Sequence, residues 1–250
     1  MTADVKMLTF APMVDSECTR LVLTHYRIPF DELDHIFGWA SLLTLFHLGY
    51  GRIPLVYGGG LHGSGPRSIV NSIDDRMGDR RLLPPASPLR DDVERSWALY
   101  NGELAVHVAV FAYYHLLPSR EAMIGAFQAE LGSREARLAG PTYGAVRALL
   151  SILLRLTATR AAAALSRIRA ILDETDRIVV DGRSYLHGDR LTLADLGLLS
   201  ALEPLALPAR YQKHVPPVEQ LPEEFRNVVE EARKRPVSTF AERLITFIEA

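Results

Sequence analysis

A proline-rich segment divides this 250-residue chain into two parts of different character. The segment reads RRLLPPASPLR, and Pro84, Pro85 and Pro88 are incompatible with the interior of a helix. Before the segment, short strand-like runs alternate with helix-like runs; after it, the pattern is helical almost throughout. We therefore predict an α/β domain over residues 1–82, a linker over residues 83–90 and an all-helical domain over residues 91–250.

The first part is predicted to form a βαβ unit followed by a ββα unit. KMLTFA is the first strand, a helix follows from Asp15 or Ser16, and Pro29 opens the second strand. RIPLVY then leads into the glycine-rich stretch YGGGLHGSGPRS. We interpret this stretch as a β-hairpin whose turn needs positive φ at Gly58–Gly60.

The same glycines are not expected to bind a nucleotide. A dinucleotide fingerprint ends at the start of a long helix, and a P-loop needs Lys followed by Ser or Thr. Here Gly65-Pro66-Arg67 follows instead, and only a short helix fits the sequence beyond it.

Composition and motifs argue against several further classes of partner and site. The net charge of −2, without a basic stripe, argues against a nucleic-acid partner. The single cysteine, Cys18, permits no internal disulfide and favours a cytoplasmic location. The longest apolar runs are short and interrupted by His or Arg, so no membrane span is expected. No metal site is expected either, since the sequence has no H-E-x-x-H motif or Cys/His cluster.

The second part is predicted to contain helices over residues 91–117, 119–131 and 142–178. Beyond them, Thr192-Leu193-Ala194-Asp195 has the pattern of a capping box at the start of an apolar helix. A capping box suits a helix that begins inside a bundle, where water cannot reach its first N–H groups.

Two segments resemble the glutathione transferase superfamily. Gly51-Arg52-Ile53-Pro54-Leu55 is similar to its G-K/R-V-P-x-L signature, and YLHGDRLTLADLGLLSAL is similar to the buried helix start of its C-terminal domain. RLVLTHYRIPFDE and EEARKRPVSTFAERL add to the likeness. The resemblance implies a thioredoxin-like α/β domain followed by an all-α helical bundle, with a cis bond before Pro54. It also implies glutathione as co-substrate, a small-molecule electrophile and a homodimer.

The resemblance implies a catalytic group at the N-terminus of the first helix, where a hydroxyl or thiol stabilises the glutathione thiolate. An alignment without gaps places Met13 there, and a thioether donates no hydrogen bond. Ser16, one helical turn further on, is the predicted catalytic residue, on the expectation that its hydroxyl lies on the exposed first turn. A purely structural role for Ser16 stays open.

The resemblance also implies where the two substrates bind. Glutathione is expected at Ile53, Pro54, Ser64, Arg67 and Ser68, although Gly65-Pro66 replaces the family's Glu/Gln-Ser pair and supplies neither its side chains nor the N–H of its second residue. The electrophile is expected to contact Met13 and three residues spaced by seven, Tyr100, His107 and Tyr114. That stripe also fits a packed core face, and this alternative stays open.

Two functions follow from the sequence, of which the first is the favoured prediction and the second its alternative. The first is a glutathione transferase-like enzyme that conjugates or reduces a small apolar electrophile. The second is a non-catalytic or repurposed protein of this fold that binds another ligand or a protein partner, as Met13 and Gly65-Pro66 suggest.

Overall fold

The computed structural model describes residues 3–47 and 50–249, and the side chains of Ala129, Glu130, Ser133 and Glu249 are not described. The N-terminal part contains strands β1 (Val5–Thr9), β2 (Phe30–Asp34), β3 (Leu55–Gly58) and β4 (Leu61–Ser64) with helices α1 (Val14–His25), α2 (Trp39–Thr44) and α3 (Pro66–Ile73). The strands form one sheet in the order β2-β1-β3-β4. The β1–β2 pair is parallel and the other two pairs are antiparallel, as the predicted βαβ and ββα units require.

The hairpin between β3 and β4 turns through three glycines. Gly58, Gly59 and Gly60 have φ values of 93°, 57° and 80°, which confirms the predicted left-handed turn. The Ile53–Pro54 bond that precedes β3 is cis, as predicted.

The C-terminal part is helical among its described residues. It contains α4 (Pro88–Trp97), a π-helical segment (Ala98–Leu104), α5 (Ala105–Leu116), α6 (Arg120–Glu130), α7 (Ser133–Leu153), α8 (Ala158–Val179), α9 (Leu193–Ala206), α10 (Glu223–Arg233) and α11 (Pro236–Glu249). No single described helix is long and apolar enough to cross a membrane, although Arg134–Leu153 and Ala158–Val179, bent by 64° at their junction, meet that test together.

Two helix predictions need correction, and one helix was not predicted. The first helix of the bundle begins at Pro88, inside the predicted linker, because Ser87 caps it and proline is tolerated at the first helical position. The helix predicted over residues 142–178 is two helices, since Arg155 adopts a φ of 50° and Thr157 caps α8 by accepting from the Arg160 N–H. The helix that was not predicted is α10 (Glu223–Arg233).

Helix α9 is the central helix of the bundle. All of its residues from Leu193 to Leu205 are buried, and its start has the predicted capping box. Asp195 accepts from the Thr192 N–H at 2.8 Å and from the Leu186 N–H at 2.7 Å. Helices α1, α4 and α5 pack against α9, so one element supports both parts of the chain.

Candidate functional site

A cleft of about 250 Å³ lies where the start of α1 faces α5, α7 and the loop after α9. Its lining is mainly apolar and includes Phe10, Phe37, Ala109, Leu116, Met123 and Leu150. A mainly apolar concavity with a few polar groups is the usual form of a small-molecule site. The cleft is somewhat smaller than the roughly 300–1,000 Å³ of typical ligand pockets.

Met13 forms the N-terminal boundary of α1 and lines the cleft. Its backbone is extended, with φ −78° and ψ 140°, and no side chain caps the helix. The first N–H groups of a helix have no partners within the helix and favour negative charge. The thioether that stands beside them contributes no hydrogen-bond donor.

Ser16 does not reach the cleft. It is fully buried, donates to the Phe10 carbonyl oxygen at 3.0 Å and contacts the hydroxyl of Thr9 on β1. The expectation that its hydroxyl lies on the exposed first turn is wrong, because the Ser16 side chain bonds to β1 and the chain that follows it. Cys18 is also fully buried, and burial raises the pKa of its thiol, as suits an unreactive core cysteine.

The polar side chain that does reach the cleft from the start of α1 is the carboxylate of Asp15. Asp15 lines the cleft, and its Oδ1 accepts from Nδ2 of Asn101 at 3.0 Å. Burial raises the pKa of Asp15, while the bond from Asn101 opposes that rise. When ionised, Asp15 competes with any other anion for the positive end of α1.

Asn101 reaches this position from the π-helical segment. A π-turn inserts an extra residue into a helix and is frequent at functional sites. Close packing fixes the segment against α9: a Cβ on Gly197 would lie 3.0 Å from the Trp97 ring and 3.4 Å from Cβ of Asn101. Neither Asn101 nor the position of Asp15 in the cleft was predicted from the sequence, because both look like ordinary helix-surface residues.

Three polar side chains line the cleft further along. Tyr211 is buried and donates to the Pro12 carbonyl oxygen at 3.2 Å. The hydroxyl of Tyr113 and Nδ1 of His214 are buried without a hydrogen-bond partner among the described residues. Burial and the nearby Arg20 cation lower the pKa of His214 to about 3, so this ring is neutral at pH 7. Nothing in the sequence pattern distinguished these three residues.

The predicted stripe of electrophile-binding residues does not line the cleft. Tyr100 is buried and its hydroxyl lies 3.2 Å from the Thr175 hydroxyl on α8. His107 lies near Glu103 and Arg167, and Tyr114 lines a separate depression between α5, α8 and α10. Of the four residues in that prediction, only Met13 lines the cleft. Because α5 packs against α8, this face of the helix is turned towards α8 and away from the cleft.

The five residues predicted for glutathione lie just before β3, at the end of β4 and in the first turn of α3. The Gly65 N–H donates to the Pro54 carbonyl oxygen at 2.8 Å, and Leu55 pairs with Ser64. None of Ile53, Pro54, Ser64, Arg67 and Ser68 is among the residues that line the 250 Å³ cleft. Glutathione binding at these positions stays a prediction.

Arg67 already has a carboxylate partner in the structure. Its Nη2 donates to Oε1 of Glu94 at 2.7 Å, its Nη1 contacts Oε2, and its Nε donates to Asn71 at 3.0 Å. The Arg67 guanidinium holds the pKa of Glu94 below its usual value. A glutathione carboxylate would have to displace Glu94 in order to use this cation. Pro66, at the first position of α3, adds no N–H.

Among the comparisons with known proteins, the one with solved structures identifies the fold. No family model matches the chain, and no curated protein matches it. Among solved structures, glutathione transferase GSTFuA3 from Phanerochaete chrysosporium matches with a TM-score of 0.65 and 12% identity, covering 99% of this chain and 98% of that one. The glutathione S-transferase CsGST63524 of Ceriporiopsis subvermispora, solved in complex with glutathione, matches with a TM-score of 0.57 and 14% identity, covering 98% of both chains.

A third structure of the same fold is FzlA from C. crescentus, with a TM-score of 0.54 and 17% identity over 93% of this chain and 89% of that one. Identities this low establish the fold alone. The chain has the glutathione transferase fold, as its signature segments predicted. Within the described residues, no group of three or more His, Cys, Asp or Glu side chains is placed to hold a metal ion.

Proposed function

We propose that this glutathione transferase fold serves to bind a small, mainly apolar molecule in the cleft between its sheet and its helical bundle. The observation that carries the proposal is the cleft itself, which places Phe10 and Phe37 opposite the α5 and α7 side chains. Burial of a ligand against such a lining is favourable by about 25 cal/mol for each Å² of apolar surface removed from water.

The start of α1 favours binding over thiolate chemistry. Met13 occupies the position where the resemblance implies a hydroxyl or thiol. The Ser16 hydroxyl bonds to Thr9 on β1 and to the Phe10 carbonyl oxygen. Asp15 lines the cleft beside this position and, when ionised, opposes a second negative charge there. The backbone features implied by the resemblance are thus present, whereas the side chains that would stabilise a sulfur anion differ.

Fluorescence of the neutral dye Nile red tests this proposal. Ala109 lines the cleft, so Ala109→Trp fills it and is expected to abolish the rise in fluorescence that wild type produces. The matched control is Ala148→Trp, at an exposed position on α7, and it is expected to bind like wild type. Equal binding by both variants would place the dye outside the cleft and contradict the proposal.

Glutathione conjugation or reduction of a small electrophile is the second candidate, with glutathione as co-substrate. It is favoured by the uncapped start of α1, which borders the cleft, and by the juxtaposition of Pro54 with the start of α3. Met13→Ser restores a hydroxyl at the start of α1. A hydrogen bond to a charged group contributes about 1.5–3 kcal/mol, so conjugation of 1-chloro-2,4-dinitrobenzene should rise roughly ten- to a hundredfold. No rise would count against this candidate.

Three further statements remain proposals. We propose a homodimer in which the N-terminal domain of one protomer faces the helical domain of the other, and light scattering at micromolar concentration tests it. The division into domains over residues 1–82 and 91–250, with a linker between them, is likewise a proposal from the sequence. The same holds for the cytoplasmic location.

A further inference from the structure

Exposed apolar side chains stand at the mouth of the cleft. Leu153 on α7 and Val106 on α5 both line the cleft, and they are 60% and 48% exposed. A side chain that lines a cleft and is also largely exposed lies where the cleft opens to solvent. Ile152, next to Leu153, is 72% exposed and is not among the residues that line the cleft.

The exposed apolar surface continues from α7 to the start of α2. A Cβ on Gly38 would lie 3.4 Å from Cδ2 of Leu149, so the two helices are adjacent there. Trp39 follows Gly38 directly, and Leu149 precedes Leu153 by one helical turn. We call this surface the mouth face; it consists of Trp39, Val106, Leu149, Ile152 and Leu153, all of them exposed. Contiguous exposed apolar side chains mark a surface that binds a partner or a membrane.

Two segments without acidic residues supply most of the mouth face. Residues 36–73, which include α2, contain no Asp or Glu, and neither do residues 136–172, which include most of α7 and the first part of α8. The chain as a whole has a net charge of −2, so this local absence of acid is not a general property of it. The second segment contains six arginines, Arg137, Arg147, Arg155, Arg160, Arg167 and Arg169.

Arg155 borders the mouth face just beyond the end of α7. It follows Leu153 by two residues, its N–H donates to the Ile152 carbonyl oxygen at 3.1 Å, and its side chain is exposed. The aliphatic stem of an arginine can lie along apolar surface while its guanidinium reaches a nearby polar group.

Two arginines of α8 lie on the other side of the mouth. Burial, and then the charges of Arg167 and Arg160, lower the pKa of His107, the neighbour of Val106, against the opposing charge of Glu103. Glu103 is itself paired, since Nε of Arg167 donates to its Oε1 at 2.5 Å. Together with Arg155, three arginines thus stand against one exposed carboxylate in this region.

An apolar face bordered by cations is complementary to an anionic bilayer. Apolar side chains enter the boundary between the headgroups and the acyl chains, and arginines near the surface add attraction to anionic lipids. Tryptophan, here Trp39, is enriched at the level of the headgroups.

We propose that the mouth face docks on the surface of a membrane that contains anionic lipids. Trp39, Ile152 and Leu153 enter the headgroup region, and Arg155 binds lipid phosphates. The docking is peripheral and needs no membrane-spanning helix. It places the mouth of the cleft against a bilayer, in which small apolar molecules dissolve; this last point rests on the ligand-binding function proposed above.

Sedimentation with lipid vesicles tests the proposal. The protein should bind vesicles of phosphatidylcholine and phosphatidylglycerol in about equal parts, and it should bind vesicles of phosphatidylcholine alone at least about tenfold more weakly. Salt at about 1 M, where the Debye length is about 3 Å, should weaken binding to the anionic vesicles. Equal binding to both kinds of vesicle, or no binding to the anionic kind, would overturn the proposal.

Ile152→Asp should weaken binding to the anionic vesicles at least about tenfold, because it places a carboxylate in the mouth face. Val180→Asp is the matched control and should bind like wild type. Val180 is 70% exposed and follows the end of α8, about 30 Å from the start of that helix, much as Ile152 lies near the end of α7. Vesicle binding by Ile152→Asp at the level of wild type would show that the mouth face is not the docking surface.

Arg155→Gln should weaken binding to the anionic vesicles about fivefold, since one arginine near such a surface contributes about that factor. Arg177→Gln, at an exposed position in the last turn of α8, should bind like wild type. Equal losses in the two variants would point to net charge rather than to the mouth face and would contradict the proposal.

Two further measurements separate this proposal from its alternatives. Ile152 does not line the cleft, so Ile152→Asp should bind Nile red like wild type when no vesicles are present. A wild-type protein that binds Nile red and no anionic vesicle would overturn the docking and leave the ligand-binding function intact. If wild type ignored the vesicles and Ile152→Asp abolished self-association in light scattering, the mouth face would be a contact between protein copies and the proposal would be wrong.

Discussion

Arg67 and Glu94 join the first turn of α3 to α4, with Nη2 of Arg67 donating to Oε1 of Glu94 at 2.7 Å and Nη1 contacting Oε2. Both side chains are about one-third exposed. The pair links the sheet to the helical bundle at the point where the resemblance implies the γ-glutamyl group of glutathione. A cation that is already paired in this way is a poor receptor for a second carboxylate.

Glu94→Gln is expected to raise the affinity for glutathione about three- to tenfold, because it removes the carboxylate that competes for the Arg67 guanidinium. Calorimetric titration with glutathione measures the change. The double variant Arg67→Ala/Glu94→Gln should lose the gain. Unchanged affinity in Glu94→Gln would mean that the γ-glutamyl carboxylate does not bind at Arg67.

Ser16→Ala is expected to destabilise the protein by about 1–2 kcal/mol, because the Thr9 hydroxyl and the Phe10 carbonyl oxygen lose a buried partner. Urea denaturation measures the effect, and Nile red binding should not change. Slower glutathione conjugation without a loss of stability would instead restore the catalytic role first predicted for Ser16.

Asp195→Ala is expected to lower the free energy of unfolding by about 2–4 kcal/mol. The substitution removes the capping box and also leaves the Leu186 N–H, 2.7 Å from Oδ1, without its acceptor. Asp195→Asn keeps one acceptor oxygen and should cost less. If the two variants were equally stable in urea, the carboxylate would not be what holds the start of α9.

Gly63→Ala on β4 is expected to destabilise by about 1–3 kcal/mol, because its Cβ would lie 2.7 Å from Oγ of Ser68 and 2.9 Å from Cδ1 of Ile69. Gly125→Ala on α6 is the control. No heavy atom stands within 4 Å of its added Cβ, so it should stabilise the helix by about 0.5–1 kcal/mol. Thermal unfolding of both variants distinguishes crowding at Gly63 from a general effect of alanine.

Protonation of His214 is expected to destabilise the fold in acid. Its pKa is about 3 when folded, against an ordinary value of 6.5, so the unfolded chain binds more protons between these values. The free energy of unfolding should therefore fall as the pH drops below 6.5, by up to about 2 kcal/mol at pH 5. His214→Gln should flatten this slope, and His62→Gln, at an exposed position on β4, should not. A slope unchanged in His214→Gln would mean that this ring is not buried in its neutral form.

Local sequence signals predicted the elements of the fold well. The three-glycine turn and the capping box at Thr192 and Asp195 each depend on a few neighbouring residues, so their patterns can be recognised in the chain. The cis bond before Pro54 was implied by the family resemblance. Helix ends were predicted less well. The break at Arg155 requires a positive φ that an arginine pattern does not signal, and the sequence there reads as one continuous helix former.

The sequence by itself determined the order of strands and helices in the N-terminal part and the resemblance that implied the fold, because periodicity and turn chemistry act over a few residues. Only the tertiary structure decided which side chains share the cleft. The hydroxyl of Tyr100 lies 3.2 Å from that of Thr175 on α8, and Asn101 donates to Asp15, 86 residues away. Arg67 donates to Glu94 across 27 residues. Such pairings depend on how helices rotate and pack against one another, and α5, which is apolar on most sides, does not encode that rotation in its own period.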